Sequence, residues 1–335
     1  MDPIAGLFAA TVVVFALTLG ALAFREGRGG PREVGRQRRS DTSDLLRKVN
    51  RLEIRSRHLV EDLFSGNAQS MFKGRGVEFE EVRPYQPGDE VRDIDWNVTA
   101  RLGQPYVKRF VEERELTVML VVDISRSMLF GTRGKDKREL AAELCAVLGF
   151  AALRNNDRVG LVLVGGGIEL FVPAARGRTH LLRMLRDVLG RDPEEGGTRL
   201  GDAARFVGRT LKRRSLVFWI SDFEDRLEER DWRVITRRHE LLALALRDPR
   251  EESLPRVGWA MLEDLESGER HLVDTSGIDG QKHYPARTRE RRRAAQQVLA
   301  KARCPLLELS TDPQKPYLPV LMRYFDARAK RRGTA

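Results

Sequence analysis

Leu116-Thr117-Val118-Met119-Leu120-Val121-Val122 is a nearly unbroken apolar run that ends abruptly in Asp123-Ile124-Ser125-Arg126-Ser127. A half-exposed strand would alternate apolar with polar residues. A run this apolar, and this short, belongs to a strand covered on both faces, as in a parallel sheet flanked by helices. Downstream, helix and strand patterns alternate. Asp136 with Glu139 three residues later has the form of a capping box, and Leu140, Leu144, Val147, Leu148 and Ala151 follow on one helical face. Arg158 to Val164 and Ile168 to Val172 flank Gly165-Gly166-Gly167 as a tight strand pair. Helices are expected over Thr179 to Leu189, Leu200 to Leu211 and Leu227 to Arg238, and buried strands over Leu216 to Ser221 and Leu241 to Leu246. This alternation predicts an α/β fold with a doubly wound, mostly parallel sheet.

Beyond that core, Val257 to Glu263 and Arg270 to Asp274 predict a hairpin, treated as an insertion over about residues 255–275. A basic helix over Arg287 to Arg303, a strand over Pro305 to Leu309 and a last helix over Leu318 to Arg331 complete a domain spanning 115–331. Upstream, residues 44–114 form an extension. Leu45, Val49, Leu52, Leu59 and Leu63 predict an amphipathic helix from Asp44 to Phe64, and Val77, Phe79 and Glu81 alternate as in a strand. The block from Arg83-Pro84-Tyr85-Gln86-Pro87-Gly88-Asp89 to Asp93-Ile94-Asp95-Trp96 combines a Pro-Gly turn with dense opposite charges. Carboxylates beside arginines are held as ions, so the block reads as a hydrogen-bond network that pins this segment.

The amino-terminal end reads differently. Pro3 to Phe24 carries no charge over 22 residues, and at about 1.5 Å rise per residue a helix of that length covers a hydrocarbon core of about 30 Å. A cleaved signal peptide, with Ala21-Leu22-Ala23 as its processing site, competes with an uncleaved anchor. Positive charge, however, follows the run, in Arg25, Arg28, Arg32, Arg36, Arg38 and Arg39, and does not precede it. The expectation is a transmembrane anchor over 1–24 and a Gly/Arg-rich linker over 25–43. The protein would then be a single-pass protein of the inner (cytoplasmic) membrane with the bulk of the chain in the cytoplasm.

The chain has 335 residues, 41% of them apolar and 33% charged, which excludes wholesale disorder and fibrous repeats. Its two cysteines, Cys145 and Cys304, are far apart and fit neither a disulfide framework nor a zinc ribbon. The net charge of +11 is concentrated at Arg25 to Arg39, Arg287 to Arg303 and Arg323 to Ala335, which together hold +14 and leave the remainder at −3. The body of the protein is therefore no basic nucleic-acid surface, and the basic helix lacks interleaved aromatics.

Chemistry is expected where strands of an open α/β sheet end. Asp123, Ser125 and Ser127 follow the first strand, Thr198 follows Gly196-Gly197, and Asp222 closes the Leu216 strand. Two carboxylates and three hydroxyls make an all-oxygen set suited to a hard divalent ion, Mg²⁺ or Mn²⁺. Neutral hydroxyl ligands would leave much of the ion's charge available to one more anionic oxygen from outside.

This constellation resembles the metal-ion-dependent adhesion site of von Willebrand factor A domains, and by that resemblance Asp123, Ser125, Ser127, Thr198 and Asp222 form the metal shell, directly or through water. The Arg83 to Trp96 block resembles the signature of a bacterial von Willebrand A-like family catalogued as domain of unknown function fifty-eight, over nearly everything from Asp44 onward. That resemblance implies partnership with a MoxR-type AAA+ ATPase. The protein would be an adaptor or co-chaperone that grips an acidic residue of a client. No catalytic residue is assigned. The alternative is a Mg²⁺-dependent phosphohydrolase or nuclease using Asp123. Against it, Ser125 stands where a second acid would help, and His58, His180, His239, His271 and His283 are scattered with no H-x-x-x-H pair. A phosphate-binding loop G-x-x-x-x-G-K-[ST] is absent; Gly131 to Asp136 echoes it only superficially.

Overall fold

The computed structural model describes residues 13–14, 34–65, 78–111, 116–132, 134–192, 198–265 and 269–333. Its centre is a six-stranded sheet. Strands β4 (Thr117–Asp123), β5 (Arg158–Val164), β6 (Ile168–Ala175), β7 (Leu216–Ser221), β8 (Glu240–Arg247) and β11 (Leu306–Ser310) lie in the order β11-β8-β7-β4-β5-β6. Every pairing is parallel except β5 with β6, which the Gly165 to Gly167 turn makes antiparallel. Counted along the sheet, the order is that of a doubly wound fold, with the switch of direction between β4 and β7.

The apolar runs follow the two-residue period of a strand. Val118, Leu120 and Val122 enter one core, with Phe218 and Ile220 beside them, while Met119, Val121, Val217 and Trp219 enter the other. The first core is covered by α1 (Val34–Ser65), α3 (Lys137–Arg154), α4 (Arg178–Gly190) and α9 (Leu318–Gly333). The second lies under α5 (Leu200–Thr210), α6 (Glu229–Arg238) and α8 (Tyr284–Lys301). Helix α3 is buried on all sides from Leu140 to Ala152, as a helix packed between sheet and outer helices must be.

The extension is joined to this body. Val49 and Val60 of α1 are buried in the first core, with Leu52 and Leu59 packed against it. Glu53 of α1 accepts two hydrogen bonds from Arg178 of α4, at 2.5 and 2.7 Å. Helix α1 starts at Val34, so ten residues assigned to the linker continue the helix that was expected from Asp44. A helix anchored downstream extends at little cost through Arg, Gln and Ser, and the one strongly unfavourable residue, Gly35, falls in its first turn.

Strands β2 (Glu78–Pro84) and β3 (Tyr106–Val111) pair antiparallel, with the charged block between them. There Arg83 grips Asp89 through two bonds of 2.9 and 2.7 Å, and Asp95 caps the short helix α2 (Trp96–Leu102). The block is internally stitched, and α2 and β3 are elements the sequence pattern did not reveal.

After β8, Asp248 caps a single turn, α7 (Pro249–Glu252), and strands β9 (Trp259–Asp264) and β10 (Arg270–Asp274) form an antiparallel hairpin. Of the Pro3 to Phe24 segment only Val13–Val14 is described, as a two-residue strand β1 beside β9, extended where a spanning helix was expected; the rest of that segment lies outside the described residues. Among the described residues no helix is long and apolar enough to cross a membrane.

Candidate metal-binding site

Asp123 ends β4 and Asp222 follows β7, so the two carboxylates stand at adjacent strand ends across the switch point. Both are buried, at 1% and 2% exposure. Asp123 accepts from the Ser125 amide at 2.9 Å with one oxygen and from the Ser221 hydroxyl at 2.6 Å with the other. The Ser125 and Ser127 hydroxyls are 3.0 Å apart and buried, and Ser127 hydrogen-bonds the Asp222 carboxylate. The spacing works because Ser125 precedes a 3₁₀ turn, Arg126–Leu129, which folds Ser127 back beside it. Behind Asp222 the chain turns sharply at Phe223, whose φ of 53° is in the left-handed region; its ring is buried against Trp232. Burial of that aromatic ring offsets a backbone conformation that costs on the order of 1 kcal/mol.

Four of the five expected residues are thus brought into one hydrogen-bonded group. Thr198 is half-buried at the same sheet edge, just before α5, where Arg199 donates to Gly165 O at the end of β5 and Leu200 N donates to Asp225. Among the described residues Thr198 stands outside the network that ties the other four, and Gly196 and Gly197 lie outside the described residues.

The site also contains a residue the sequence reading missed. Lys137, at the first turn of α3, has no exposed surface, and its ammonium donates to Asp222 and Glu251 at 2.6 Å each. Arg292 of α8 donates to Glu251 at 3.2 Å and also to Glu252, while Arg247 donates to the Asp222 carbonyl. The ionic group therefore runs from the sheet edge to α7 and α8.

These charges set the two aspartates apart. Burial raises the Asp123 carboxyl, the Asp222 charge raises it further, and it is pushed up to about 7 despite its hydrogen bonds from Ser125 and Ser221. Burial also works against Asp222, but the charge and hydrogen bond of Lys137 outweigh it and hold that carboxyl below its usual range. Among the described residues Asp222 has its cation and Asp123 has none. Among the described residues no three His, Cys, Asp or Glu side chains converge as a metal cluster. An ion here would rest on Asp123 and Asp222 with the hydroxyls of Ser125, Ser127 and Thr198. That oxygen set, with one buried carboxylate left uncompensated, fits a hard divalent cation.

Two mycobacterial proteins match this sequence along most of the chain. Rv1480 of Mycobacterium tuberculosis is 35% identical over 304 residues, 88% of this chain and 92% of its own length, and Mb1516 of Mycobacterium bovis matches equally. YeaD of Bacillus subtilis is 31% identical over 105 residues, 31% of this chain and 24% of its own. Among solved structures, BatB from Bacteroides thetaiotaomicron aligns with a TM-score of 0.44 at 15% identity, over 64% of this chain and 99% of its own. The SpRpn10 VWA domain aligns with a TM-score of 0.35 at 14% identity, over 63% and 95%. The family model described as "Protein of unknown function DUF58" matches residues 81–294, from the middle of β2 to past the middle of α8. With that match spanning the charged block, the switch-point carboxylates and the Lys137 network, the chain belongs to the DUF58 family.

Proposed function

We propose that this protein is a divalent-metal-dependent protein-interaction module that grips a carboxylate of a partner at the Asp123/Asp222 edge. The observation that carries this reading is the asymmetry of the two aspartates: Lys137 compensates Asp222, while Asp123 is buried with no cation beside it among the described residues. Asp123 and Asp222 would hold Mg²⁺ or Mn²⁺, with Ser125, Ser127 and Thr198 contributing hydroxyl oxygens directly or through water. When bound, such an ion supplies a Lewis-acidic position for an outside oxygen. The chain's own part is to fix the oxygens: the Ser221 hydroxyl orients Asp123, Lys137 orients Asp222, and the 3₁₀ turn holds the two serines.

The proposed partners are a client with an accessible Asp or Glu and a MoxR-type AAA+ ATPase, for which this protein would be adaptor or co-chaperone. The chargeless Pro3 to Phe24 run followed by arginines supports anchoring in the inner membrane with the rest of the chain cytoplasmic. Affinity capture from native membranes, with Mg²⁺ against chelator and wild type against Asp123→Ala, tests the reading. Recovery of an AAA+ ATPase or an acidic client only with metal and intact Asp123 is expected. Capture indifferent to both would overturn it.

A second reading, a Mg²⁺-dependent phosphohydrolase with Asp123 as nucleophile, draws on the buried cation of Lys137 beside the site. Against it, a nucleophile must meet its substrate directly, and Asp123 is 1% exposed. Phosphoester turnover lost in Asp123→Ala would favour it.

A further inference from the structure

Opposite the Asp123/Asp222 edge, the sheet has a second polar end, where β7, β8 and β11 begin and α5, α6 and α8 finish. Lys212, Arg213 and Arg214 form the turn from α5 into β7, and all three are exposed. Arg237 and Arg238, also exposed, end α6. At the end of α8 stand exposed Lys301 and Arg303. The fold draws these three groups together. Leu216 pairs with Glu240 where β7 and β8 begin, Ala243 N donates to Pro305 O at the start of β11, and Thr236 Oγ1 of α6 donates to the Ala302 carbonyl at 2.8 Å. Ser215 Oγ donates to Arg213 O at 2.9 Å and so fixes the turn.

Among the described residues none of these seven cations has a carboxylate partner. Glu240, the acid next to them in the chain, is paired with Arg328, and the acids of α6, Glu229 and Asp231, stand in its first turn at the far end. Cations at a helix C-terminus are favourable in themselves, which accounts for Arg237, Arg238 and Lys301 but not for the three in the turn. Nor does it account for Arg303. That residue has a φ of 57°, in the left-handed region, and closes α8 by the bonds Arg303 N to Ala300 O at 2.9 Å and Cys304 N to Leu299 O at 2.8 Å. Glycine fits such a cap without strain, so an arginine here keeps a cation at this end despite its backbone.

Helix α1 fixes which way this end points. Leu45 packs at Gly190, the last residue of α4, and Lys48 pairs with Glu139 in the first turn of α3, so the early part of α1 lies on the side of the Asp123/Asp222 edge. Val34, where the helix begins, is about 21 Å further along it. With the Pro3 to Phe24 run in the bilayer, the basic end is therefore turned away from lipid. No Phe, Tyr or Trp occurs in 209–215, 236–239 or 301–304 to stack a base, which favours a protein over a nucleic acid.

We propose that this basic end is a docking surface for an acidic protein surface, a patch of Asp and Glu side chains on a second partner, while the opposite edge holds the first. The inference rests on the adaptor and anchor reading for the kind of partner, but the surface itself needs no metal.

Fluorescence anisotropy of a labelled oligoglutamate peptide, titrated with the full chain in phosphatidylcholine nanodiscs at low ionic strength, tests it. Chelator is present throughout, so that the Asp123/Asp222 edge takes no part. Binding is expected, and Lys212→Glu with Arg214→Glu should weaken it about tenfold by placing like charges opposite the peptide. Arg183→Glu with Arg186→Glu, the same charge change at exposed positions of α4, should leave it unchanged. Arg303→Gly should weaken it about threefold, as loss of one exposed pair does, yet unfold no earlier than wild type because glycine suits the left-handed cap. No binding of the peptide would overturn the proposal, as would equal loss in the two double variants. Tighter binding of a short duplex DNA would make the face a nucleic-acid surface instead, and peptide binding lost in phosphatidylglycerol nanodiscs would mean that the bilayer covers it. Incorporation into the discs reads the anchor, and Mg²⁺-dependent capture through Asp123 reads the metal edge, so neither failure is confused with this one.

Discussion

The Lys137 ammonium lies 2.6 Å from the Asp222 carboxylate, in a side chain with no exposed surface at all. Removing a charged group from water costs several kcal/mol, so this lysine is tolerable only because Asp222 and Glu251 both accept from it. The same two bonds fix the start of α3 to the end of β7 and to α7. Lys137→Met should therefore lower stability by about 3 to 5 kcal/mol, because it strands the buried Asp222 carboxylate and leaves Glu251 with Arg292 alone. Urea denaturation of the full chain in chelator checks this. A variant as stable as wild type would show that the pair is not compensating.

Asp123 predicts a pH dependence of its own. Its folded carboxyl is pushed up to about 7 from an ordinary value of 3.8, so between those values the native state holds more protons than the unfolded state. In chelator, the contribution of Asp123 to stability should fall as pH rises through that window and stay lost above it. Asp123→Asn should remove that part of the pH profile. If the metal reading holds, saturating Mg²⁺ at pH 8 should stabilise wild type by about 2.7 kcal/mol at a hundredfold excess over Kd, and the Asn variant not at all. Thermal melts across pH, with and without Mg²⁺, read both effects.

The sequence showed Asp123, Ser125 and Ser127 because a strand buried on both faces has a distinctive composition and its polar end stands out against it. Ser221, which orients Asp123, falls inside the apolar Leu216 strand and looks like a tolerated small residue. Lys137 was hidden for another reason. At the first turn of a helix a lysine beside Asp136 and Arg138 reads as solvated, and only the run from Leu140 to Ala152, apolar but for Glu143, hinted that the helix end is buried too. Helix α2 has seven residues, too few for a 3.6-residue period to register, and β3 reads Tyr-Val-Lys-Arg-Phe-Val, whose charges interrupt the alternation. The partner strand β2 supplies the register that local pattern could not.

Glu53 and Arg178 give the extension an acid-sensitive attachment. The bidentate hydrogen bond from Arg178, helped by its charge and that of Arg57, outweighs burial and holds the Glu53 carboxyl below its ordinary 4.5. A depressed carboxyl stabilises the fold above that ordinary value and ceases to do so as pH falls through the lower, folded value. Hydrogen exchange in α1 should therefore accelerate below about pH 4.5 more than exchange in β4 or β7. Glu53→Gln should show the faster α1 exchange already at neutral pH. Equal protection of α1 in that variant would mean that Val49 and Val60 alone hold the helix.

Asp248 concentrates more hydrogen bonds than any apolar replacement could return. It is wholly buried at the end of β8 and accepts from Thr132 N at 3.0 Å, Thr132 Oγ1 at 2.6 Å, Thr311 Oγ1 at 2.7 Å and Arg250 N at 2.9 Å. Those donors hold its carboxyl below the usual range against the opposing effect of burial. They also tie the loop between β4 and α3 to the loop after β11, so one side chain fixes the ground on which Lys137 and the switch-point carboxylates stand. Asp248→Ala leaves two threonine hydroxyls and two amides short of an acceptor, and with each charge-assisted bond contributing about 1.5 to 3 kcal/mol, a loss of several kcal/mol is expected. Asp248→Asn keeps an acceptor oxygen but offers an amide NH₂ where a second acceptor is needed, and should fall between Ala and wild type. Urea midpoints in the order wild type, Asn, Ala would bear this out, whereas an Ala variant at the wild-type midpoint would show that water replaces the carboxylate without cost.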